Sequence, residues 1–108
     1  MDYNIHPLKI IRVINNLTQE EMSQYFSVTK SYISAVENSK NVMDISKLAS
    51  GLEILGLTID DYINMYKISE TLKTQNISEQ DKYKIMIKES AEIIMLSHKE
   101  KEQRINKI

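Results

Sequence analysis

An all-α fold is predicted for this chain by its few breakers, its helix-start signals and the period of its apolar residues. The 108 residues include two glycines and one proline. That composition, rich in Ile, Lys, Glu, Ser and Met, suits helices rather than a turn-dense β fold. Cap signals recur along the chain. Thr18-x-x-Glu21 reads as a capping box, Thr29 and Asp44 as N-caps, Thr58 as a helix restart and Ser78-x-x-Asp81 as a last start. Between these signals apolar residues return at helical spacing, as helices that bury one face require.

Residues 1–6 read as a loose arm. Pro7 suits a first helical position, where the backbone N–H lacks a partner in any case. LKIIRVINN follows, with Leu8, Ile11, Ile14 and Leu17 along one side and Asn15-Asn16 as its end. The second helix is predicted from about Gln19 to Phe26 and the third from about Lys30 to Asn38. Met22, Phe26, Val28, Ile33 and Val36 are spaced to bury both against one small core, across a turn that permits only a sharp crossing. Ser39-Lys40-Asn41 forms a polar break. Asp44 then caps a fourth helix with Ile45, Leu48, Leu52 and Leu55 as its inner stripe. Gly51 inside that helix implies a close neighbour, because glycine there costs about 1 kcal/mol relative to alanine. Gly56 is a natural stop.

After Thr58 one stripe runs through Ile59, Tyr62, Ile63 and Tyr66, while Met65, Ile68 and Leu72 form another rotated away from it. The shift predicts a helix that leaves a first core and packs on something else. Thr74-Gln75-Asn76 interrupts, and Ser78 is expected to cap a long final helix that reaches at least His98 and at most about Arg104. Tyr83, Met86, Ile87, Ala91, Ile93 and Ile94 share one wide sector of it, with Ile85 and Leu96 nearly opposite. Two apolar strips need two neighbours, and a second chain is the expected one. Tyr83, Ile85, Ile87, Ile94 and Leu96 are the candidate dimer interface. The division implied is residues 1–66 as one unit and 67–108 as a helical dimerisation or partner-binding region.

Several classes of function find no support. There is no cysteine, so neither a disulfide framework nor a thiolate metal site is available. His6 and His98 stand far apart without a second ligand at metal spacing. No serine lies in a G-x-S-x-G setting and no glycine-rich phosphate loop exists, which argues against an enzyme and against a cofactor. No apolar run is long enough to span a bilayer and no secretion signal is apparent, so the chain is expected to be cytoplasmic.

The outward face of the third helix reads Lys30, Ser31, Tyr32, Ser34, Ala35. Short donors and acceptors beside one small apolar side chain are what a helix needs to touch base edges in a DNA major groove. Charge alone does not demand that partner. The net charge is −1, and residues 1–56 carry five basic groups against six acidic ones. Affinity for phosphate must then come from where the cations sit, from helix N-termini and from pairing two protomers.

Residues 8–63, with L17-T18-Q19-E20-E21-M22-S23, V28-T29 and I33-S34-x-V36-E37-N38 as the signature, resemble the phage-repressor-like helix-turn-helix family, the Xre or Cro/repressor type. The resemblance implies a five-helix repressor-like DNA-binding domain, followed here by a C-terminal helical hairpin or long helix. Gln19 then resembles the family's phosphate-clamping glutamine and Thr29 a cap that also meets phosphate. Lys30, Ser31 and Ala35 fall at base-reading positions, with Tyr32 and Ser34 flanking, and Asn38 and Lys40 resemble backbone contacts past the reading helix. Three features depart from the pattern: Ser27 and Ser39 stand where glycines are usual, and the proline before the fourth helix is absent. Glu37 is expected to pair internally with Arg12, since a carboxylate facing phosphate would repel it.

The implied function is sequence-specific binding of double-stranded DNA, as a dimeric repressor on a pseudo-palindromic operator. Two other readings use the same residues. One is the antitoxin of a toxin–antitoxin pair, and the other is a protein-interaction module that has lost DNA binding. An antitoxin would use a second surface to neutralise its toxin, and residues 67–108 could otherwise dock a different protein, an antirepressor or sensor.

Overall fold

The computed structural model describes residues 2–106, with side chains described for 2–100. These residues form six helices: α1 (Pro7–Ile14), α2 (Gln19–Phe26), α3 (Lys30–Glu37), α4 (Ile45–Ile54), α5 (Ile59–Lys73) and α6 (Glu79–Asn106). Local chemistry sets the starts. In both α2 and α5 a full capping box forms, Thr18 with Glu21 and Thr58 with Asp61. Thr29 Oγ1 accepts the Tyr32 N–H at 3.1 Å, and Ser78 Oγ accepts that of Asp81 at 3.1 Å. Each cap satisfies a backbone donor that the helix itself leaves free.

The stops after α2, α3 and α4 use left-handed residues. Ser27, Ser39 and Gly56 have φ of 55°, 58° and 77°. The left-handed position after α3 is thus Ser39, one residue beyond Asn38, which stays at φ −93°. Gly51 sits against the Phe26 ring: a Cβ there would lie 2.0 Å from Phe26 Cδ1. That absence of a side chain lets α2 and α4 close on each other.

α1 lies at the centre, packed by α3, α5 and α6, while α2 packs on α3 and α4. Leu8, Ile10, Ile11, Met22, Phe26 and Ile33 are buried in one cluster that also takes in Met65, Leu72, Met86 and Ile94. α6 therefore turns back on the rest of the chain. Its inward face carries Met86, Ser90, Ile94 and Ser97 at helical spacing, all buried. The expected boundary at residue 66 falls inside the unbroken α5.

Three expectations are corrected. The N-terminal arm is fastened, not loose: Ile5 is buried, Asn4 Nδ2 donates to Glu37 O at 2.7 Å, and Lys9 Nζ lies 3.2 Å from Asp2 Oδ2. Tyr3 meets Tyr83 of α6 at 5.8 Å between ring centres, with Lys9 Nζ 5.4 Å from the Tyr83 ring. Ile45, assigned to the inner stripe of the fourth helix, is 68% exposed because the first turn of α4 projects past the core. The stripe of Tyr62, Ile63 and Tyr66 is only half covered, whereas Met65, Ser69 and Leu72 are the buried face of α5.

Candidate nucleic-acid interface

Glu37 anchors α3 from within. Its carboxylate is 3% exposed and accepts from Arg12 Nε at 2.8 Å, Arg12 Nη2 at 3.1 Å and Gln19 Nε2 at 3.2 Å. Arg12 also donates Nη1 to Leu17 O at 3.1 Å. One buried acid thus ties α1, the start of α2 and the end of α3. The forked guanidinium suits a carboxylate held this way, and the extra bonds offset the cost of desolvating both charges.

With α3 so held, Thr29, Lys30 and Ser31 at its N-terminal end are exposed, and Ser34 and Ala35 are half-exposed on the next turn. Lys40 is exposed just past the helix, where its N–H closes the turn on Ala35 O at 2.8 Å. Lys47 of α4 reaches the turn between α2 and α3, donating Nζ to Ser27 O at 3.3 Å. A lysine therefore stands at each end of α3 and another at the turn that leads into it. Because Glu37 is neutralised inside the fold, the charges exposed around the helix are these lysines together with Asp44 at the start of α4. Glu21 is occupied in capping Thr18, whose N–H it accepts at 3.0 Å.

Some expected site residues are engaged within the chain. Gln19 is half-buried with its amide on Glu37. Tyr32 donates its hydroxyl to Val42 O and accepts the Asp44 N–H, each at 3.3 Å, so its polar end braces the loop between α3 and α4. Asn38 folds its amide back on Ser34 O at 2.8 Å as a C-terminal cap. Lys47 carries no such signal in the sequence, since its link to Ser27 spans elements that no periodic pattern connects. Asp44, which starts α4, is held well below the usual carboxylate range, first by its bond to Ser46 and then by the Lys47 and Ser46 amides.

Among the described residues, no group of acidic, His or Cys side chains could hold a metal ion, and no helix is long and apolar enough to cross a membrane. Crossed short helices held by a buried ion pair, with a small polar helix face turned outward, define a DNA-binding regulatory module. A family model described as helix-turn-helix matches residues 8–62, about half of the chain. The chain belongs to that family, the phage-repressor-like group, whose members are DNA-binding transcriptional regulators rather than enzymes. No curated protein and no solved structure shows a significant match.

Proposed function

We propose that the protein is a dimeric transcriptional repressor that occupies a pseudo-palindromic operator and acts by excluding polymerase. Lys30, Ser31 and Ala35 read base edges, Ser34 flanks them, and Thr29, Asn38, Lys40 and Lys47 meet phosphate. Gln19, through its remaining amide hydrogen, positions the start of α2 on the backbone.

The observation that carries this reading is the Arg12–Glu37–Gln19 network, which fixes α3 while leaving Lys30 and Ser31 exposed. The acidic excess of residues 1–56 is the argument for an interaction module without DNA binding. Burial of Glu37 against Arg12 weakens it, since that acid is withdrawn from the exposed face of α3.

The test is a footprint and gel shift on the DNA upstream of the protein's own gene. Lys30→Ala and Ser31→Ala should each weaken operator binding by about 1–3 kcal/mol and relax base preference. Lys40→Ala should weaken all sequences alike and lower the salt slope by about one. Retention of full, sequence-specific binding by both reading-face variants would refute the assignment.

A further inference from the structure

A cavity of about 140 Å³ lies where the start of α1, the end of α3 and the first half of α5 meet beneath the α3–α4 segment. His6, Tyr62 and Tyr66 line it with rings, Val36 and Leu48 with aliphatic groups, and Ser39 and Asn41 with polar ones. None of its nine lining residues carries a charge at neutral pH, since burial lowers the His6 pKa to about 4.

The polar chemistry inside is set by one local bond. A neutral imidazole has one nitrogen that accepts and one that donates. His6 Nδ1 accepts the Leu8 N–H at 3.1 Å, so the ring proton sits on Nε2. That Nε2–H and the Tyr62 hydroxyl have no hydrogen-bond partner among the described residues. Both atoms nonetheless touch open space, because among those residues Ser90 Oγ is the fully buried side-chain polar atom without a partner. Burial raises the Tyr62 pKa, so its hydroxyl also keeps its proton. The cavity therefore offers two fixed donors beside flat, apolar walls.

We propose that this cavity is a binding site for a small uncharged molecule built on one aromatic ring, whose hydrogen-bond acceptor takes the Nε2–H of His6. Size sets the single ring, since an apolar cavity of about 150 Å³ admits a benzene molecule. The wall chemistry sets the aromatic character: ring edges and faces from His6, Tyr62 and Tyr66 pack well on a flat π-system. Charge is excluded by desolvation. An anion or a cation would shed its water here without a counter-ion on the wall, because the nearby Glu37 and Lys73 are already paired with Arg12 and Glu70. The site stands whether or not the chain binds DNA.

NMR titration of the full chain with phenol as the probe tests the assignment. Phenol should bind saturably, with a dissociation constant on the order of 1 mM. Long-range proton–nitrogen spectra should show His6 as the Nε2–H tautomer, and phenol should shift its ring signals. Benzoate and benzylammonium keep the ring but add a charge, and each should bind at least about tenfold more weakly. His6→Asn keeps an oxygen to cap α1 but removes the imidazole, and should weaken phenol by about fivefold. Asn41→Trp, at an exposed position on the rim, should cover the mouth and weaken phenol by about tenfold or more. Its circular dichroism should match wild type, which separates blockage from misfolding. Phenol that does not saturate, ions that bind as well as phenol, an Nδ1–H tautomer at His6, or unchanged affinity in both variants would each overturn the inference.

Discussion

Arg12 grips Glu37 with two nitrogens, Nε at 2.8 Å from Oε2 and Nη2 at 3.1 Å from Oε1. Both residues lie away from solvent, with side-chain exposures of 17% and 3%. Arg12→Ala would strand the carboxylate in the interior, where only Gln19 remains to bond it. The expected loss is about 3 kcal/mol of unfolding free energy, measured by urea denaturation. A loss below about 1 kcal/mol would mean that water reaches Glu37 freely.

Gly51→Ala places a methyl group within the Phe26 ring, which is itself 1% exposed and cannot withdraw. Helix propensity alone would favour alanine by about 1 kcal/mol. Overpacking wins here, with a net loss of about 2 kcal/mol expected in thermal unfolding. An unchanged or raised melting temperature would refute the close approach of α2 and α4.

Ser27→Gly and Ser39→Gly should act in the opposite direction. Both serines hold a positive φ that costs an L side chain free energy, and glycine relieves it. Each exchange should stabilise by about 0.5–1 kcal/mol, because the greater freedom of glycine in the unfolded chain offsets part of the gain. Chemical denaturation midpoints would read this directly.

His6 gives the protein a sensitivity to acid. Its Nδ1 accepts the Leu8 N–H at 3.1 Å and its ring meets Tyr66 edge-on at 5.8 Å. Burial lowers its pKa from 6.5 to about 4, opposed by Glu37 and assisted by Lys73. The unfolded chain therefore binds more protons between those values, so the contribution is complete above pH 6.5 and is lost as pH falls toward 4. Allowing for the part of the ring open to water, the loss is about 1–2 kcal/mol. His6→Asn keeps a capping oxygen but does not titrate. Its urea midpoint should fall less than that of wild type between about pH 7 and about pH 5, and parallel curves would exclude His6 as the source.

Tyr32→Phe keeps the ring and removes both hydroxyl bonds to the loop. Stability should fall by about 1 kcal/mol while base preference in a binding-site selection stays as in wild type. A changed preference would place the hydroxyl on a base instead.

Much of this was legible in the sequence because it is local. Capping pairs such as Thr18 with Glu21 join residues one helical turn apart, so spacing alone exposes them. The Arg12–Glu37 pair was legible for a different reason, since an acid on a helix expected to face DNA needs an internal cation. Contacts across large sequence separations were not legible. Asn4 reaches the Glu37 carbonyl over a gap of 33 residues, and nothing periodic marks it. Ile45 shows the limit of a stripe argument, because a helix wheel records which side a residue takes but not whether the core extends that far. Ile85 makes the same point in reverse: it sits opposite the main strip of α6 yet packs on its own chain.

Ser97 Oγ donates to Gly56 O at 3.4 Å, and His98 Nε2 lies 3.3 Å from Leu55 O, so the last helix clasps the end of α4. The helix-turn-helix half is thus not a portable cassette. A chimaera that transplanted only the first 66 residues onto a new effector would carry a bald flank on α1 and an uncovered Met65. Recombination that spreads this reader to other architectures must carry its trailing helix along, or invent a substitute lid of the same shape.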